Sequence, residues 1–268
     1  MFKLIVRALM AAMLVAGASA SGTETIERPE LARHFKAAGV TGTFVLFDIA
    51  ADRISVHDKA RADQRFAPQS TFKIFNAMIG LDTGAVKDEL EVLPYGGKPQ
   101  MIKEWERDMN LRDGIRVSNV PVYQELARRI GAQRMQHYID LVGYGNRNIG
   151  NVIDRFWLDG PLEISAVEQA QLMARLAQRR LPFTERSMRT VRDMIRQDGT
   201  QQGYTMFAKT GWGFQSPNAQ IGWLVGWIEK EGKPYAFALN IDVLSNADAA
   251  KRQPLVRDCL ETLLFKAS

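Results

Sequence analysis

The chain has 268 residues, 46% of them hydrophobic and 24% charged, with a formal charge of +5. These values exclude a disordered, collagen-like or multi-span membrane chain, and about 250 residues can bury a core that needs no disulfide or structural metal. The charge excess is small, and its arginine pairs, Arg128-Arg129 and Arg179-Arg180, lie on helical patterns with acidic neighbours, so no nucleic-acid partner is expected.

The first twenty residues read as a leader. Lys3 and Arg7 come before and around the start of an apolar run from Ala8 to Gly17, and Ala18-Ser19-Ala20 offers a small-x-small cleavage site. That run falls short of the ~20 apolar residues needed to span a bilayer. The pattern predicts a signal peptide over 1–20, cleavage after Ala20, export to the periplasm and no stable membrane anchor afterwards. An uncleaved anchor is the competing reading. No cysteine stands at the cleavage site to carry a lipid.

Beyond a short polar lead, Thr41 to Asp48 and Arg53 to His57 read as two strands joined by a turn at Ala50-Ala51-Asp52. Helical spacing runs from Ser70 to Leu81 and returns over Val122 to Ile130, Gln133 to Val142, Ala166 to Arg180 and Glu185 to Arg196. Strand character resumes at Tyr204 to Thr210, then at Gln220 to Glu229 and Tyr235 to Asp242, with a turn through Lys230-Glu231-Gly232-Lys233. A helix from Ala249 to Phe265 closes the chain. Strands at both ends with helices between them predict an α+β fold: one antiparallel sheet from N- and C-terminal strands, flanked by helices, with an inserted mainly helical lobe. No repeat or linker is visible, so residues 21–268 read as a single catalytic domain of two lobes.

Ser70-Thr71-Phe72-Lys73 opens the first long helical pattern. Residues three apart share a helix face, so a serine hydroxyl and a lysine amine can meet there, and serine needs such a neighbour to take its proton. On its own the motif is better read as an N-cap serine followed by a solvated lysine. Three further elements shift the balance. Lys209-Thr210-Gly211 ends a strand pattern, lining up a cation and a hydroxyl where glycine admits a close backbone approach. Ser118-Asn119-Val120 supplies a second hydroxyl between helices, and Tyr144-Gly145-Asn146 a tight turn with two polar side chains. Ser-x-x-Lys, then a serine element, then Lys-Thr-Gly is the order found in β-lactamases and penicillin-binding proteins.

With Trp157-x-x-Gly160 added, these elements resemble the class D β-lactamases, the oxacillinases. Class A enzymes carry Ser-Asp-Asn where this chain has Ser118-Asn119-Val120, and a glutamate that holds the deacylating water; the surroundings of Glu163 do not match it, and Glu163 is given a structural role. The resemblance implies Ser70 as nucleophile and Lys73 as base after reaction with carbon dioxide, a modified N6-carboxylysine that needs no other cofactor and no metal. Carboxylation requires a neutral amine, which burial beside Phe72, Val120, Trp157 and Leu158 would favour. The resemblance also implies that the Trp157 indole donates to the carbamate, that the backbone N–H groups of Ser70 and Trp212 form the oxyanion hole, and that Ser118 relays a proton under the influence of Lys209. Thr210, Gly211, Tyr144 and Trp105 are expected at the substrate. Its carboxylate should meet Thr210 and an arginine, Arg252 by preference and Arg257 as the competitor. The resemblance further implies a small-molecule β-lactam as substrate and antibiotic resistance as the outcome; either a monomer or a homodimer is compatible with the sequence.

Rival classes fare worse. His34, His57 and His137 show no paired metal-ligand spacing, and no Gly-x-Ser-x-Gly elbow accompanies them. Lys209-Thr210-Gly211-Trp212-Gly213 is not a phosphate loop, because there the glycines precede the lysine. Cys259 stands alone and reads as a small apolar residue on the last helix. A penicillin-binding sensor or a D,D-peptidase, acylated without rapid turnover, shares the chemistry and is the alternative.

Overall fold

A computed structural model describes residues 23–197, 203–216 and 219–265; the expected leader lies outside them. One sheet is built from Glu24–Glu27 (β1), Gly42–Asp48 (β2) and Arg53–His57 (β3). Two short strands, Arg65–Phe66 (β4) and Ile164–Ser165 (β5), pair apart from it, and Tyr204–Ser216 (β6), Ala219–Lys230 (β7) and Lys233–Val243 (β8) complete it. Its order is β1-β3-β2-β8-β7-β6, with only β1 and β3 parallel. The first and last thirds of the chain meet at the seam between β2 and β8, where Phe44 faces Leu239 and Leu46 faces Phe237.

Alternation along these strands gives the sheet two apolar faces. Phe44, Leu46, Leu224, Ile228, Phe237 and Leu239 bury against Ala32–Ala38 (α1) and the C-terminal helix. Val45, Trp223, Val225, Trp227, Ala236 and Ala238 join the larger core on the other side. That side holds Lys59–Asp63 (α2), Lys73–Asp82 (α3), Leu111–Arg116 (α4), Val120–Ile130 (α5), Ala132–Val142 (α6), Ala166–Ala177 (α7) and Glu185–Met194 (α8). Helix α7 lies directly on β2, β7 and β8. Small residues at Ala166, Ala170 and Ala174 allow that approach, and a reciprocal Ser165–Glu168 capping box starts the helix where β5 ends.

The expected fold class holds, with local differences that have physical reasons. β1 was read as polar lead because Glu24-Thr25-Ile26-Glu27 shows no apolar face; it is an edge strand held by β3. β6 does not stop at Thr210 but pairs with β7 as far as Ser216. The closing helix is two helices, Asn246–Ala250 (α9) and Arg252–Leu264 (α10), the first capped by Ser245. The β7–β8 turn places Glu231 and Gly232 at φ 51° and 73°, the paired positive angles of a type I′ hairpin.

Strand β6 forms an outer edge of the sheet. Its first half is covered: Gln197 N–H donates to Met206 O, and Ala208 N–H to Ile195 O, each at 2.9 Å. Beyond Ala208 the edge turns toward the helical group and carries Lys209, Thr210 and Gly211.

Candidate active site

Ser70 belongs to a 3₁₀ turn, Gln69–Phe72, that runs directly into α3 at Lys73. The turn keeps residues 70 and 73 one above the other, as the helical spacing requires. Lys73 Nζ lies 2.8 Å from Ser70 Oγ. Lys73 is wholly buried and Ser70 nearly so. Burial, reinforced by the charge of Lys209, holds the Lys73 amine far below the ordinary lysine range. The Tyr123 ring sits 5.5 Å from Nζ.

The second hydroxyl arrives from the loop between α4 and α5. Ser118 is left-handed, at φ 58°, and the next residue, Asn119, caps α5 by accepting from Val122 N–H at 3.0 Å. Lys209 Nζ donates to Ser118 Oγ at 2.8 Å and to Thr210 O at 3.0 Å, with Thr210 Oγ1 at 3.3 Å. Burial, then the nearby Arg252 charge, pushes the Lys209 amine down to about 7. Arg252 itself anchors to backbone, donating to Ala249 O and Gly211 O, both at 2.6 Å, and burial lowers its guanidinium to about 10. Its stem passes over Gly222, where a Cβ would meet Arg252 Cδ at 3.1 Å. A cavity of about 260 Å³ opens beside Lys209 and Thr210, lined also by Ile115, Arg116 and Gln253.

A tryptophan completes the wall. Trp157 is fully buried, stacks on Phe72 with ring centroids 5.6 Å apart, and has no hydrogen-bond acceptor for its indole N–H among the described residues. Val120 and Leu158 are half-buried. The edge of β6 comes close to the serine turn because of two glycines: a Cβ on Gly211 would meet Pro68 O at 3.0 Å, and one on Gly213 would overlap the Gln69 amide. Among the described residues no three His, Cys, Asp or Glu side chains gather as a metal-ligand set.

Residues 42–261 match the penicillin-binding-protein transpeptidase domain. β-Lactamase OXA-5 of Pseudomonas aeruginosa is 40% identical over 246 residues, covering 91% of this chain and 92% of that protein. β-Lactamase OXA-48 of Klebsiella pneumoniae is 38% identical over 259 residues, covering 96% and 97%. The crystal structure of FUS-1 (OXA-85), a class D β-lactamase from Fusobacterium nucleatum subsp. polymorphum, superposes with a TM-score of 0.85 at 40% identity, over 90% of this chain and all of that one.

The chain belongs to the class D β-lactamases.

In this class D β-lactamase, a serine hydrolase of β-lactams, the structure brings together Ser70, Lys73, Ser118, Lys209, Thr210 and Arg252. Arg257 points elsewhere: it is exposed and its charge acts on Tyr204, at the far end of β6. Trp105 is half-buried and donates its indole N–H to Val117 O at 3.0 Å, so it buttresses the serine loop. The Trp212 side chain is 41% exposed and bonds Gln220.

One expectation is corrected. Tyr144 was placed at the substrate, yet it is fully buried, edge-on to Phe72 and Phe75 at 5.5 and 5.0 Å. Two polar atoms in a turn motif gave no sign that the ring would be drawn into an aromatic cluster behind the serine turn. Gly145 explains the tightness of that turn, since a Cβ there would collide with Glu163 O. Glu163 accepts from Gln215 Nε2 at 3.2 Å.

Gln69, Gly213, Asn119 and Gly222 had no structural role assigned from the sequence. The glycines carried a usable signal, because isolated glycines inside strand patterns mark close approaches. Gln69 carried none.

Proposed function

We propose that this enzyme hydrolyses penicillin-type β-lactams through an acyl-enzyme on Ser70, with a carboxylated Lys73 as general base, and that it acts as an exported resistance factor. The observation that carries the carboxylated lysine is the Trp157 indole N–H, buried without an acceptor among the described residues, on a ring stacked against Phe72, the chain neighbour of Lys73. Leaving a buried donor unpaired is costly; an anion on Lys73 would pair it. The amine fits the same purpose, since burial lowers it well below the ordinary lysine range and so favours the neutral form, and only a neutral amine can attack carbon dioxide, forming a C–N bond and releasing a proton. When present, the carboxylate supplies a base for the serine proton and later for the hydrolytic water.

The chain's own residues do the rest. Ser70 Oγ bonds to the lactam carbonyl carbon while the backbone N–H groups of Ser70 and Trp212 hold the developing oxyanion, each such donor being worth about 2.7–4 kcal/mol of barrier. As the lactam C–N bond breaks, its nitrogen takes a proton relayed through Ser118 Oγ, which passes on the proton given up by Ser70 while the Lys209 amine orients it. Thr210 and Arg252 receive the substrate carboxylate, the guanidinium being held against the strand by its bond to Gly211 O. Water then bonds to the acyl carbon as the base takes its proton; the ester bond to Ser70 Oγ breaks, and Ser70 takes that proton back. No metal or other cofactor enters.

Residues 1–20 serve as a cleaved leader and 21–268 as the mature catalytic domain, a monomer or homodimer in the periplasm without a membrane anchor; N-terminal sequencing of exported protein should begin at Ser21. The mechanism is tested by turnover of a chromogenic cephalosporin with and without bicarbonate, together with mass spectrometry of the penicillin adduct. Rapid turnover that falls on removal of bicarbonate, with transient acylation of Ser70, is expected. A single stable acylation event would instead favour a sensor or D,D-peptidase, and a bicarbonate-independent rate would leave the neutral Lys73 amine itself as the base.

A further inference from the structure

Residue 69, immediately before the serine, holds a conformation that a glutamine avoids. Its φ is 54°, in the left-handed region where a Cβ crowds the backbone. The surroundings enforce it. Gln69 is only 2% exposed, its backbone N–H donates to Trp157 O at 2.9 Å, and its side-chain Nε2 donates to Leu158 O at 2.8 Å and Phe214 O at 3.1 Å. Both amide hydrogens are therefore spent on two separate backbone segments, the one carrying Trp157 and the tip of β6. The amide lies in the space left by the missing side chain of Gly213, whose Cβ would overlap Oε1, Cδ and Nε2 of Gln69.

This places one side chain between two backbone donors. The peptide joining Gln69 to Ser70 carries the Ser70 N–H, so the left-handed turn at 69 aims that group. The Trp212 N–H lies one residue from Gly213 and two from Phe214, on the strand that the Gln69 amide grips. We propose that Gln69 is a positioning residue for acyl transfer, fixing the aim and separation of the Ser70 and Trp212 N–H groups without touching substrate. The proposal rests on the reading of those two groups as the oxyanion hole. Small errors in such geometry are expensive, a shift of about 1 Å costing up to ~10²-fold in rate.

The test compares wild type with Gln69→Gly, which tolerates the left-handed backbone but loses the tether, Gln69→Glu, which keeps the reach but opposes a carboxylate to two carbonyls, and Gly213→Ala, which crowds the amide from the opposite side. Each is assayed for the acylation rate constant, for affinity toward a boronic acid that mimics the tetrahedral state, for KM, and for Tm. All three should lose about tenfold or more in acylation and, in parallel, in boronate affinity, with KM shifting less. Falls in Tm without parallel losses in acylation and boronate binding would overturn the proposal. Wild type labelled by penicillin at a residue other than Ser70 would overturn the underlying site reading as well, so the two failures are distinguishable. Should Gln69→Gly fail to fold, Gly213→Ala decides alone.

Discussion

Lys73 Nζ sits 2.8 Å from Ser70 Oγ, in a pocket where the lysine has no solvent exposure. The pair is close enough for proton transfer, and burial holds the amine well below the ordinary lysine range. Lysine is rarely buried this deeply unless its chemistry is used.

Replacing the amine should therefore separate stability from activity. Lys73→Met removes a buried polar group while keeping volume, and is expected to raise stability by about 0.5–2 kcal/mol. Loss of the base should lower kcat/KM by about 10²–10⁴-fold. Thermal denaturation and steady-state kinetics on the same preparation check both; a destabilised variant would mean that the amine contributes to the fold.

Trp157→Phe keeps the ring stacked on Phe72 but deletes the N–H. If that donor holds an anion on Lys73, the variant should need more bicarbonate for half-maximal turnover and lose about tenfold or more in rate, in line with a hydrogen bond to a charged group. Burst kinetics should appear as deacylation slows. An unchanged bicarbonate titration would detach Trp157 from the base.

Lys209 offers a pH signature. With its amine pushed down to about 7, the cation is present below that pH and is lost as pH rises through it, so kcat/KM for an anionic penicillin in enzyme depleted of carbon dioxide should decline on the alkaline side. An anion on Lys73 favours the charged form of Lys209, and bicarbonate should move that limb upward. Lys209→Arg, which stays charged, should abolish it. A limb that persists in the arginine variant belongs to another group.

The Arg252 stem passes close over residue 222, which has no side chain. In Gly222→Ala a Cβ would stand 2.9 Å from Val243 Cγ2 and 3.1 Å from Arg252 Cδ, displacing the guanidinium. KM for carboxylate-bearing substrates should rise about tenfold, with kcat less affected, and Arg252→Ala should do the same. Equal KM for wild type and both variants would remove Arg252 from substrate binding.

Strands β2, β3, β7 and β8 were legible in the sequence because they are nearly continuous apolar runs, buried on both faces of the sheet. β1 was not, since Glu24 and Glu27 flank only one apolar residue. The end of β6 was hidden by Gly211 and Gly213, which look like a strand terminus but mark where another backbone comes close. At the site, Ser70, Lys73, Ser118 and Lys209 announced themselves through spacing and motif order. Tyr144 misled because a motif names polar atoms and not their burial. Gln69 was invisible because its role arises from left-handed geometry and from carbonyls distant in sequence.

The outer border of β6 is where a stray chain could add itself to the sheet, a hazard for any unpaired strand. Three of its outward carbonyls are already engaged by side chains: Ala208 O by Gln197, Thr210 O by Lys209 and Phe214 O by Gln69. An invading strand needs acceptors as well as donors and finds these acceptors taken. A compound that brings a single carbonyl asks only for N–H groups. The border thus discriminates between aggregation and catalysis by offering half of a ladder.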